Sequence, residues 1–233
     1  NKKDEPIAFN NKEAIKRLRN IADYFLIHDR DIWIQTDDSI ARVIDGETLL
    51  LRRSRGYAPQ PLKMPFGNEN KIIGFGAHKH NTFSVSRGDE VFVSHYIGET
   101  DNIETIKAFE RGIEHFTNFF DIPPDIAVVD LHPEYQATKF GKKWAFNNKK
   151  PLIEVQHHHA HIASCLLDNC LDEKVIGVAW DGTGYGADGK IWGEEFLIAD
   201  LKNYERKAHL RYIPLPGGDA AVREPWSCLL YTS

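Results

Sequence analysis

Cysteine is scarce: Cys165, Cys170 and Cys228 are the only three in 233 residues. They are too few and too scattered for a disulfide framework or a zinc ribbon, and fit free thiols in a reducing cytoplasm. A basic excess is lacking too. Twenty-nine Lys and Arg against 34 Asp and Glu leave a net charge of -5 and a pI near 6.1, which excludes a dedicated nucleic-acid binder. The one dense basic run is Leu51-Arg52-Arg53-Ser54-Arg55. No apolar run approaches the roughly 18 residues that span a bilayer. Asn1-Lys2-Lys3-Asp4-Glu5-Pro6 lacks the apolar core of a signal peptide. The expectation is a cytoplasmic protein with neither nucleic acid nor membrane as a partner. What is present, 42% hydrophobic and 27% charged residues, makes a globular chain with a real core. Its length permits one large domain or parts of two.

Apolar spacing at Ala14, Ile15, Leu18, Ile21 and Ala22 predicts a helix from Glu13 to Tyr24, capped by Asn10 or Asn11. Ser39–Ile44 and Glu47–Arg52 read as strands joined by Asp45-Gly46, a hairpin signal because both turn residues tolerate positive φ. Three prolines and a glycine between Gly56 and Pro65 mark an extended crossing and a domain boundary. Beyond it, Lys71–Gly76, Asn81–Ser86 and Glu90–His95 read as strands, the last two joined through Arg87-Gly88-Asp89. Asn102–Phe120 reads as a helix with Ile103, Ile106, Phe109, Ile113, Phe116 and Phe120 in a stripe. Then strands at Asp125–Leu131, Pro151–Gln156 and Lys174–Asp181 alternate with helices at Pro133–Lys142 and His157–Leu171. This order indicates an α/β domain whose later strands are parallel.

The sharpest chemical feature is Val155-Gln156-His157-His158-His159-Ala160-His161, where a strand gives way to a helix. His157 and His161 stand four apart, so both imidazoles leave one helix face and can grip one metal ion. Asp181, at the carboxyl end of the following apolar strand, is the candidate third ligand, because sites in open α/β sheets gather at such ends. Two nitrogens and an oxygen suit iron or zinc alike. A polar helix start without metal remains the plain alternative. The string is not His-Glu-x-x-His and brings no general base. In Asp181-Gly182-Thr183-Gly184-Tyr185-Gly186-Ala187-Asp188-Gly189, the glycines Gly182, Gly184 and Gly186 allow either a phosphate-binding nest or a β-hairpin turn. Arg53 and Arg55 can face a triphosphate, or can simply solubilise an edge strand. Asp37-Asp38-Ser39 can supply a hydroxyl or hold magnesium.

The histidine string with Trp180-Asp181-Gly182-Thr183-Gly184-Tyr185-Gly186 resembles the hydrogenase-maturation carbamoyltransferases of the HypF family. Asp130-Leu131-His132-Pro133, Leu215-Pro216-Gly217-Gly218-Asp219-Ala220-Ala221 and Arg223-Glu224-Pro225-Trp226 extend the resemblance. So do Glu5-Pro6-Ile7, Ile27-His28-Asp29-Arg30 and Leu51 through Pro59. It runs in unbroken order along nearly the whole chain. It implies a fragment: residues 1–62 as the C-terminal part of a YrdC-like domain, and 63–233 as the first part of a Kae1-like domain of the actin/sugar-kinase superfamily. The implied chemistry starts from carbamoyl phosphate and ATP, with magnesium accompanying the ATP. It forms carbamoyl adenylate and carbamoylates the C-terminal cysteine of a HypE-type acceptor protein. His157, His161 and Asp181 match the family's metal ligands, with a further aspartate expected beyond Ser233. Asn1 matches the end of a Ser-Ala-Asn nucleotide signature, and Ser39, Arg53 and Arg55 the segment that closes that pocket.

There are departures from the family pattern. Glu194 stands where it has a second glycine in Trp-Gly-Gly-Glu-Phe, His78-Lys79-His80-Asn81-Thr82-Phe83 is altered, and Ser227–Ser233 does not continue it. Two other readings stay open: a different Kae1-like carbamoyl or threonylcarbamoyl transferase, and a metal- and nucleotide-binding scaffold without transfer activity.

Overall fold

The computed structural model describes residues 7–212. Asn1 and the motifs from Leu215 onward lie outside that range.

Helix α1 (Asn11–Leu18) is capped by Asn10, whose side chain accepts the Glu13 N–H. It stops six residues short of the expected Tyr24. No residue of α1 is buried, and a helix without a packing face has little to sustain it beyond two turns. Strands β1 (Ile40–Ile44) and β2 (Glu47–Arg52) form the expected antiparallel hairpin. Asp45 and Gly46 turn it at φ +52° and +86°. Through residue 61, Ser54 is the only buried side chain described.

The main sheet is built from β3 (Leu62–Gly74), β4 (Ser84–Val93), β5 (Ile126–Asp130) and β6 (Leu152–Val155), in the order β4-β3-β5-β6. A straight ten-residue strand would be about 33 Å long. Yet the Ser94 N–H donates to the Phe83 carbonyl at 2.8 Å. β4 therefore doubles back at Arg87-Gly88-Asp89, as the sequence pattern requires, with Gly88 at φ +60°. Ile72–Gly74 of β3 pairs with its first arm, whereas Leu62 and Lys63 pair with Val91 and Glu90 on its second. The expected boundary after residue 62 thus falls where the chain joins this sheet.

β5 and β6 run parallel to β3 and to each other. Helix α2 (Ile103–Phe119) packs Phe109, Ile113 and Phe116 into the core formed with Ile73, Phe75, Phe83 and Val129, while Ile103 is exposed. Helix α3 (Gln136–Asn148) begins three residues later than expected. Asp130 Oδ1 first accepts the His132 N–H at 2.8 Å and holds Leu131 to Tyr135 outside the helix. It runs past Lys142 because Trp144 and Ala145 continue its buried face.

Helix α4 (His157–Asp168) leads into a second sheet of β7 (Val175–Ala179), β10 (Glu195–Ala199) and β11 (Tyr204–His209), ordered β11-β10-β7. β8 (Gly184–Tyr185) and β9 (Ile191–Trp192) form a small hairpin between β7 and β10. Here the expectation of continued parallel strands is corrected: β7 pairs antiparallel with β10 and shares no sheet with β6. α4 bridges the two sheets. Its Ile162 and Leu166 bury against Leu197 and Ala199. Ile162 lies so near β7 that a Cβ on Gly177 would stand 2.2 Å from its Cδ1. No helix among the described residues is long and apolar enough to cross a membrane.

Candidate functional site

The N-terminus of α4 and the end of β7 meet between the two sheets. Gln156 caps the helix: its Oε1 accepts the His159 N–H at 3.0 Å. This sets the first turn, so that His157 and His161 project side by side with their Nε2 atoms 3.2 Å apart. Asp181 Oδ2 lies 3.0 Å from His157 Nε2 and 3.5 Å from His161 Nε2. The three ligand atoms fall within 4.8 Å of one another. The route differs from the one the sequence suggested, because Asp181 arrives from a separate sheet.

The electrostatics are those of a charged trio. Asp130 accepts from His157 Nδ1 at 2.6 Å; with Asp181 on its other nitrogen, His157 is pushed up to about 9. His157 and His161 in turn hold the Asp181 carboxyl well below the usual range. Although flanked by imidazoles, Asp181 Oδ2 is buried and accepts no well-aligned hydrogen bond. Its neighbours point with it toward a shared centre. Two imidazole nitrogens and one carboxylate oxygen fit zinc or iron, and a carboxylate behind one of the imidazoles is the usual support of such a ligand.

Three residues of this site had no assigned role in the sequence reading. Asp130 was legible only as the polar end of an apolar strand. His158 is fully buried, and burial lowers its pKa. Because Gln156 Oε1 is taken by the His159 N–H, its Nε2 faces His158 Nδ1 at 3.0 Å. His158 Nδ1 must then accept, and its Nε2–H points at the Asp181 carbonyl, 3.3 Å away. Gln156 and His158 thus tie helix start to strand end.

The glycine-rich segment adopts the hairpin of the two readings. The Gly186 N–H donates to Lys190 O and the Gly189 N–H to Gly186 O, so those amides are used inside the turn. Gly184 is a close-approach residue: a Cβ there would lie 2.5 Å from the His158 ring. Gly186 is likewise pressed on Trp192, while Gly182 has open space before it. Glu194 sits at φ +52°, the left-handed region that favours glycine. Next to it, Glu195 is fully buried and gripped by Arg206 at 2.5 and 2.8 Å.

Ser39, Arg53 and Arg55 gather elsewhere. Ser39 Oγ donates to Arg55 O and accepts the Ser54 N–H. Arg53 donates to the carbonyls of Tyr57 and Gln60, and Arg55 to that of Thr36, with Asp38 3.5 Å away. Arg53 Nε and Ser54 Oγ are buried and unpartnered. Burial lowers the Arg53 pKa, and the carboxylate acting on it is Asp168, the last residue of α4. This group therefore lies toward the far end of a helix about 18 Å long and is not brought to the histidines.

Residues 67–168 match the family described as the HypF Kae1-like domain. Residues 177–232 match the second subdomain of the carbamoyltransferase Kae1-like domain. The chain belongs to the HypF family. The HypF carbamoyltransferase of Synechocystis is 41% identical over 222 residues, 95% of this chain and 28% of that protein. HypF2 of Cupriavidus necator is 42% identical over 226 residues, with the same coverage. A crystal structure of full-length HypF in a phosphate- and nucleotide-bound form superposes with a TM-score of 0.89 at 44% identity. It covers 94% of this chain and 34% of its own. The chain thus spans about a third or less of these three HypF proteins. The gap between the two matched segments separates α4 from β7, so His157 and His161 belong to one subdomain and Asp181 to the other.

Proposed function

We propose that this chain is the part of an ATP-dependent carbamoyltransferase of [NiFe]-hydrogenase maturation that carries the transfer site. Residues 1–62 belong to a YrdC-like adenylating unit and 63–233 to the Kae1-like unit. Carbamoyl phosphate and ATP form carbamoyl adenylate in the first. In the second, the C-terminal cysteine of a HypE-type acceptor displaces AMP: the S–C bond forms, the C–O bond of the anhydride breaks, and the thiol proton leaves. The setting is cytoplasmic.

The observation that carries this reading is the convergence of one ligand atom each from His157, His161 and Asp181 within 4.8 Å of one another. These three would hold an iron or zinc ion, and such an ion would supply Lewis acidity at the carbamoyl oxygen. Asp130 keeps the Nδ1 proton of His157 and so presents Nε2 as the donor. His158 and Gln156 fix the Asp181 backbone. Gly182 leaves room for the phosphate side of the donor, with Gly184 and Gly186 setting the loop beside it. Asn1, Ser39, Arg53 and Arg55 serve the nucleotide in the adenylating unit, where magnesium accompanies ATP. The unpaired donor atoms of Arg53 and Ser54 suit an anion.

The test uses the full-length parent. His161→Ala should abolish carbamoylation of the acceptor while carbamoyl-phosphate-dependent ATP–pyrophosphate exchange continues. Arg53→Ala should damage exchange first. Loss of both activities in a folded His161→Ala protein would sink the division of labour.

A further inference from the structure

A cleft of about 400 Å³ opens beside the triad. His157, Ala160 and His161 line one wall, Gly76, Asn81 and Thr82 the other. Asn81 is 1% exposed. Its backbone is fully used, by the Gly98 carbonyl and the Ile97 N–H, both at 3.0 Å. Its Nδ2 donates to Phe75 O at 3.0 Å and to Ala77 O at 2.5 Å. These two carbonyls decide how the amide lies, since turning it over would set oxygen against oxygen. What remains is Oδ1, buried and without a donor.

Two acceptors of different kinds thus stand near one another: Asn81 Oδ1 in the cleft's lining, and the Asp181 carboxylate, which meets the cleft's His157 and His161 at 3.0 and 3.5 Å. The Asp181 carboxylate, among imidazoles, suits a cation. A neutral amide oxygen calls for an N–H or O–H donor. We propose that Asn81 Oδ1 receives an N–H of the carbamoyl group, and thereby selects carbamoyl against acyl groups of the same shape. This rests on the carbamoyl-transfer reading of the site. A carbamoyl group offers its oxygen to one side and an NH₂ to the other; an acetyl group has the same outline with a methyl in place of NH₂. A methyl there leaves Oδ1 buried and unpaired, which is how a polar site rejects an isostere most strongly. Oδ1 is shielded in this conformation, so the group reaches it as the loop's exposed crest, Gly76 with Lys79 and His80, gives way. Of the two carbonyls that hold Nδ2, that of Phe75 is anchored, since the Phe75 N–H donates to Val128 O of β5, so the amide keeps a fixed partner as the crest shifts.

The experiment supplies the full-length parent and its acceptor protein with synthetic carbamoyl adenylate or acetyl adenylate, without ATP, and follows acceptor modification by mass spectrometry. The wild type should prefer carbamoyl by about 100-fold in kcat/KM, the size of the loss from leaving one buried acceptor unpaired. Asn81→Leu should bring the ratio to within about threefold of unity by losing carbamoyl transfer alone. Equal transfer of both groups by the wild type, or an unchanged ratio in a folded Asn81→Leu, overturns the inference and leaves the transfer site standing. No transfer from either adenylate overturns the transfer reading and this inference with it. A wild-type complex with a stable N-carbamoylsulfamoyl adenosine gives a check free of any folding defect: the carbamoyl nitrogen should lie within about 3.2 Å of Asn81 Oδ1, and a longer separation rejects the proposal.

Discussion

The region before residue 62 and the region after it are built on opposite terms. The first buries only Ser54 among its described residues and leaves Tyr24, Leu26 and Trp33 largely exposed. Its unsatisfied buried atoms are Arg53 Nε and Ser54 Oγ, which can donate. The second encloses an aromatic core around Phe75, Phe83 and Phe109, and its unsatisfied atoms, Asn81 Oδ1 and Asp181 Oδ2, only accept. Leftover donors call for an anion, leftover acceptors for a cation or an N–H group. The two regions thus leave atoms of opposite polarity unsatisfied, and only the second stands on a core of its own.

The sharpest way to break that contrast is to remove a large side chain from each region. Phe75→Ala deletes a ring packed on Phe109, Phe140 and Trp144 and should cost about 3–5 kcal/mol in urea unfolding. Trp33→Ala, with a 73% exposed ring, should stay within about 0.5 kcal/mol. Similar losses would mean that the first region has a core after all.

Asp130→Asn tests the support behind the triad. It removes the carboxylate that accepts from His157 Nδ1 and should weaken zinc binding about 10–100-fold with little change in melting temperature. An unchanged affinity would remove Asp130 from the site.

The metal-free triad also sets a pH dependence. His157 is raised to about 9 from 6.5, so its contribution to stability is complete below pH 6.5 and is lost as pH rises through 9. Asp181 is depressed from 3.8, so its contribution is present above that value and is lost as pH falls below it. Zinc affinity, which needs neutral imidazole, should climb between pH 6.5 and 9. Melting curves and zinc titrations across pH 3–10 check both slopes; in His157→Gln the upper one should flatten.

The smallest effect concerns Glu194. A non-glycine residue in the left-handed region costs about 1–2 kcal/mol, partly offset by the greater freedom that glycine has when unfolded. Glu194→Gly should therefore stabilise by about 0.5 kcal/mol, read as a small rise in melting temperature.

Much of this was legible in residue order. Asn10 marks a helix start, Asp45-Gly46 a hairpin, and the spacing of His157 and His161 a shared face. Spacing reports on neighbours along the chain, and what it could not reach were pairings set by packing. β7 was expected to continue the parallel sheet, yet Gly177 seats it against Ile162 on α4 and its partner strand, β10, comes later. Asp130 looked like a strand end because its bond to His157 spans 27 residues. The alternation of Arg53 and Arg55 showed charge, but not the backbone carbonyls of Tyr57, Gln60 and Thr36 that hold them.

The central claim is that His157, His161 and Asp181 hold one ion together. It is tested most directly by titrating the metal-free chain with zinc and with ferrous iron, beside His161→Ala and Asp181→Asn. The account predicts one equivalent bound by the wild type, and an affinity at least about 100-fold weaker in both variants while their circular dichroism is unchanged. Binding of equal strength in all three proteins would contradict it.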